Sequence, residues 1–132
     1  MVDPGIIKEW IRKAEEDHQF ASINLKEKRP FYGQICFHFQ QAAEKYLKAF
    51  IIANDLEFQK IHDRSLLAKI CATQDRSLEQ VKDDCEFLNT FYIDTRYPVH
   101  WPTNFSETEA QKASQACLKI RNLVLSKLPI NS

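Results

Sequence analysis

The sequence predicts an all-α domain, an up-and-down bundle of about five helices, four long and one short. Three observations predict it. Two Gly and five Pro among 132 residues are too few for the turns of a sandwich or barrel. A composition of 44% hydrophobic and 11% aromatic residues is too apolar for disorder. Apolar residues recur at three-four spacing through most of the chain.

Asp3-Pro4 marks the first helix start, because Asp can cap free amides and Pro fits the first helical position. The spacing predicts a helix over about 4–28, with Ile7, Trp10, Ile11, Ala14, Ala21 and Leu25 on one buried stripe and His18 inside it. Phe20 and Ile23 project from another side, which calls for a second apolar contact, either within the chain or with another subunit. Lys28-Arg29-Pro30 ends this helix, since a residue before proline is pushed out of helical conformation. A second helix is expected from Pro30 or Tyr32 to about Asn54. Its apolar arc, from Ile35 through Phe39, Ala42, Ala43, Tyr46, Ala49 and Phe50 to Ala53, is too wide for a surface helix, so it is predicted to be central. The narrow remaining side carries Phe37, Gln41, Glu44 and Lys48, with Lys45 beside them.

A short third helix is expected after His62, capped by Asp63 or Ser65, with Leu66, Leu67, Ile70 and Cys71 facing inward. Ser77-Leu78-Glu79-Gln80 has the form of a capping box and predicts a fourth helix over about 77–94, its stripe formed by Leu78, Val81, Cys85, Leu88 and Tyr92. The aperiodic segment Thr95–Phe105, with two prolines and three aromatics, reads as an ordered loop. Ser106-Glu107-Thr108-Glu109 is a second capping box and opens a fifth helix, which Pro129 ends. One core and one domain over 1–132 are expected at this length.

Eighteen Lys and Arg against eighteen Asp and Glu give zero formal charge, which removes a uniformly basic surface but leaves local patches open. No apolar run approaches the roughly 18 residues of a membrane span, and MVDPGIIKEW lacks a basic, apolar leader, so a cytoplasmic protein is expected. Cys36, Cys71, Cys85 and Cys117 form no C-x-x-C pair and read as reduced, mostly buried thiols. Cys36 and His38 would point about 200° apart on one helix, so no metal site is expected. No cofactor is expected either.

Three motifs then carry a resemblance over nearly the whole chain: CFHFQQAAEKYLKAFI in the second helix, His62-Asp63 before the third, and YIDTRYP after the fourth. Together with Trp10, Ala14 and Asp17 in the first helix, they resemble the HEPN domain family. The resemblance implies a helical homodimer, often encoded beside a minimal nucleotidyltransferase in a toxin–antitoxin-like pair, and a nucleotide or RNA in its groove. It places Gln41, Glu44, Lys45 and Lys48 along that groove, with Arg96 and Tyr97 from the RYP turn as further binding residues. The residues alone also allow these helix-2 side chains to be a solvated face with ordinary i,i+4 pairing.

In the ribonuclease branch of that family an Arg and a His, four to six residues apart, cut RNA without a metal. The Arg stabilises charge growing on phosphate and the His moves the proton of the 2′-hydroxyl. Arg96 and His100 are the catalytic candidates here, but RYPVH puts only three residues between them and includes Pro98. The reading preferred on this ground is a binding and assembly module. A metal-independent endoribonuclease using Arg96 and His100, and a ligand-free structural adaptor, are the alternatives. His38 and His62 are expected to be structural, and the aromatics Phe91, Tyr92, Tyr97, Trp101 and Phe105 to serve as core or dimer contacts.

Overall fold

The computed structural model describes residues 3–57, 62–91 and 105–128. Among them the helices are α1 (Pro4–Lys26), α2 (Tyr32–Ala53), α3 (Arg64–Gln74), α4 (Lys82–Asn89) and α5 (Glu107–Ser126), with a 3-10 segment over Arg76–Val81 and no strand. The fold is all-α, as the periodicity predicts. None of these helices is long and apolar enough to cross a membrane.

The central position of α2 follows from its composition. Thirteen of its residues are buried, and it packs against each of the other four α-helices. Ile7, Ala14 and Ala21 bury the predicted stripe of α1, with Trp10, Ile11 and Leu25 partly buried against the same core. Small residues on α1 and α5 (Ala14, Ala21, Ala110, Ala113 and Ala116) leave room for the large side chains of α2, Phe39, Tyr46 and Phe50. Hydrophobic burial of this kind is the dominant favourable term in folding.

The caps explain where the chain starts and stops. Asp3 accepts from the Gly5 amide at 2.8 Å, and Asp63 from the Ser65 and Leu66 amides at 2.9 and 3.3 Å. The capping box of α5 is complete: the Glu109 amide donates to Ser106 Oγ, and Glu109 Oε1 accepts from the Ser106 amide. Helix α1 stops at Lys26, two residues before its predicted end, because Lys28 turns left-handed at φ 56°.

Two expectations are corrected. The fourth helix does not begin at a Ser77 capping box: Asp75 caps instead, accepting from the Ser77 amide at 3.0 Å and its hydroxyl at 2.6 Å. With the Ser77 hydroxyl donated to Asp75, the turn tightens into 3-10 geometry, and α-helix starts only at Lys82 and runs to Asn89. The inward stripe still holds, since Leu78, Val81, Cys85 and Leu88 are all buried. In α3, Leu66 is 41% exposed, and the buried residue at its start is Arg64, at 3%.

Tertiary ion pairs join the elements. Arg121 of α5 donates to both Glu15 oxygens of α1, at 2.7 and 3.2 Å, and the Tyr46 hydroxyl of α2 donates to the same carboxylate. Gln40, 1% exposed, donates to the Leu88 carbonyl at 2.7 Å and so fixes α4 on α2. All four cysteines are buried and free. Burial pushes the thiols of Cys36, Cys71 and Cys85 up to about 12, which removes thiolate chemistry near neutral pH.

Candidate functional site

The polar side of α2 divides into two clusters. In the first, Glu44 and Lys48 are 4% and 5% exposed, so they form neither a solvated helix face nor an open lining. Arg64 of α3 covers them. Its Nη1 donates to Glu44 Oε1 at 2.8 Å, while Lys48 Nζ and His62 Nδ1 lie 3.1 and 3.2 Å from Glu44 Oε2. A carboxylate only accepts, so His62 Nδ1 carries its proton. Burial pulls the Arg64 guanidinium down from its ordinary range, against the charge and hydrogen bond of Glu44.

Asn89 of α4 completes this cluster. Its Oδ1 accepts from the Arg64 amide and Nε at 3.1 and 2.8 Å, and its Nδ2 donates to Asp63 Oδ1 and Ser65 Oγ at 2.8 and 2.9 Å. The His62-Asp63 motif is thereby placed: His62 reaches back to α2 and Asp63 caps α3. Periodicity marks neither Arg64 nor Asn89, because each acts across helices rather than along one.

The second cluster lies between α1 and α2. Asp17 receives His38 Nδ1 at 3.0 Å on one oxygen and Lys45 Nζ at 2.5 Å on the other. Burial raises the Asp17 carboxyl, but the hydrogen bonds and the Lys45 charge outweigh it, and the group sits below the usual range. Since a carboxylate only accepts, the bond to Asp17 puts a His38 proton on Nδ1. The rings of Phe20 and Phe37 stand 4.5 and 5.6 Å from the His38 ring. Phe20 is 49% exposed and Ile23, one turn on, is 56% exposed.

Of the sequence-derived site residues, Glu44 and Lys48 thus share the buried cluster, Lys45 belongs to the Asp17 cluster, and Gln41 is half-buried between them on α2. Arg96, Tyr97 and His100 lie outside the described residues, as do Tyr92 and Trp101. Phe91 and Phe105 do meet, edge to face at 5.1 Å, in the core. Among the described residues no three His, Cys, Asp or Glu side chains group as metal ligands.

The HEPN domain model matches residues 7–128. The fold is similar to that of ST0689, an archaeal HEPN homologue, at 25% identity over 92% of this chain and 96% of that one, with a TM-score of 0.73. It is also similar to TT1696 from Thermus thermophilus, at 26% identity over 92% and 98% of the two chains, with a TM-score of 0.75. Among curated proteins none matches significantly. With the family pattern spanning all five described α-helices and the same fold in an HEPN homologue, this chain belongs to the HEPN domain family.

Proposed function

We propose that the protein is a homodimer that holds a nucleotide or RNA and works beside a minimal nucleotidyltransferase in a toxin–antitoxin-like two-gene system. One observation carries the reading: Phe20, Ile23 and Phe31 stand 49%, 56% and 54% exposed, the first two on one face of α1 and the third at the entrance to α2. Large apolar side chains grouped on a surface mark a contact with another molecule. Asp17, which holds the His38 ring between Phe20 and Phe37, is met within the chain by Lys45 and His38. A second copy that covers these rings therefore leaves Asp17 paired. Membership of the HEPN family supplies the dimer and the partner class as the expectation.

The test of binding against cleavage is direct. Purified protein is incubated with total RNA in chelator, beside Arg96→Ala and His100→Ala. A binding module leaves the RNA intact at high protein concentration. Cleavage by wild type that both substitutions abolish replaces this reading with a metal-independent endoribonuclease using Arg96 and His100. The open reading frame next to the gene is expected to encode a small nucleotidyltransferase with paired metal-binding aspartates, and an unrelated neighbour removes the two-gene proposal.

A further inference from the structure

His38 stands where the exposed apolar face of α1 meets α2. Its ring lies 4.5 Å from that of Phe20 on α1 and 5.6 Å from that of Phe37, its neighbour on α2. Nδ1 is committed to Asp17 at 3.0 Å, yet the side chain is still 33% exposed. Nε2 meets no partner among the described residues. The charged groups that face this imidazole are Asp17 from α1 and, on the other oxygen of the same carboxylate, Lys45 from α2. His18, next to Asp17 in the chain, turns instead toward Phe39 and Ser22.

Lys45 by itself neutralises Asp17, so this group of side chains carries no net charge with a neutral imidazole and one excess positive charge when both ring nitrogens are protonated. Water solvates that charge on an open face. Once Phe20 is covered, the ring packed on it loses water too, and an excess charge buried without a counter-ion is strongly disfavoured. An isologous contact brings the same patch from both copies, so two such charges enter one interface. We propose that His38 makes the contact between copies pH-dependent, closed while its imidazole is neutral and opened when it is protonated. The proposal rests on the homodimer reading above and adds the regulation of that same face. Asp17 sits below the usual carboxylate range and keeps its charge near neutral pH, which leaves the imidazole as the group that changes there. The dimer is the state that binds fewer protons, so it is favoured as pH rises and lost as pH falls through the imidazole range.

The test is sedimentation equilibrium of the full chain at about pH 8 and about pH 5.5. The dissociation constant of wild type is expected to be about tenfold or more higher at the lower pH, with the helical circular dichroism unchanged. His38→Gln cannot take the charge and keeps an amide N–H for Asp17, so its constant is expected to be nearly equal at both pH values. His62→Gln, which lies off this face, is expected to keep the wild-type dependence. Independently of any variant, proton NMR of wild type is expected to show the His38 imidazole titrating at lower pH in concentrated than in dilute solution, and one midpoint at both concentrations overturns the proposal. A dimer equally tight at both pH values, tighter at the lower one, or still pH-dependent in His38→Gln overturns the switch and leaves the homodimer standing. Dissociation that runs in step with loss of helix also overturns it. Single chains at both pH values overturn the homodimer reading and the switch together.

Discussion

Glu44 holds two buried cations, Arg64 and Lys48, and an exposed imidazole, His62, on one carboxylate. Removing one partner of a buried ion pair costs about 3–5 kcal/mol, because the other charge stays buried without compensation. Glu44→Ala is therefore expected to lower stability by about that amount in urea unfolding, and a loss under about 1 kcal/mol, the usual size for a surface pair, contradicts the placement. The acids of the other networks set the pH dependence. Burial raises the Glu15 carboxyl, yet the hydrogen bonds from Arg121 and Tyr46 prevail, and it sits below its ordinary 4.5. Asp17 likewise sits below its ordinary 3.8. The unfolded chain then binds more protons as the solution is acidified, so stabilisation complete above these ordinary values is lost as pH falls through the lower folded ones. Stability measured from pH 6 down to pH 3 is expected to fall, and Glu15→Gln to flatten the fall; an unchanged slope in the variant removes Glu15 from the account. Of these pairings only Glu44–Lys48 is legible in the sequence, from its i,i+4 spacing; Glu15 and Arg121 are 106 positions apart, and periodicity reports only neighbours along one helix.

Helix ends are where the elements were readable, and where they were misread. Asp3-Pro4, Asp63 and the Ser106–Glu109 box work as local chemistry predicts, because a cap needs only residues within one turn. Asp75 overrode Ser77 for an equally local reason: a carboxylate is the stronger acceptor and stands two residues earlier. The closing turns of α1 and α2 use Lys28 at φ 56° and Asp55 at φ 54°, a conformation that favours glycine. After Lys28 the Arg29 amide returns to the Asn24 carbonyl at 3.0 Å, so the left-handed turn is held by hydrogen bonding. Lys28→Gly relieves the Cβ penalty and is expected to stabilise by about 0.5–1 kcal/mol, since glycine's greater unfolded entropy offsets part of the gain. Thermal unfolding checks this, and a lowered Tm contradicts it.

At the scale of the molecule, α2 works as a hub, one side greasy and the other carrying the ions that receive α1 and α3. The greasy side was legible because its arc is set by period alone. The polar side was not, because whether Glu44 meets water or Arg64 depends on how the chain returns after His62. The same holds for the outer face of α1: spacing singles out Phe20 and Ile23 as off the core stripe, and the structure leaves both open. The central claim is that a second copy closes this face. Light scattering at micromolar concentration measures it most directly. The account predicts twice the chain mass of 15.5 kDa for wild type and a shift toward 15.5 kDa for Phe20→Glu. Wild type at 15.5 kDa, or a Phe20→Glu variant that remains fully dimeric, contradicts it.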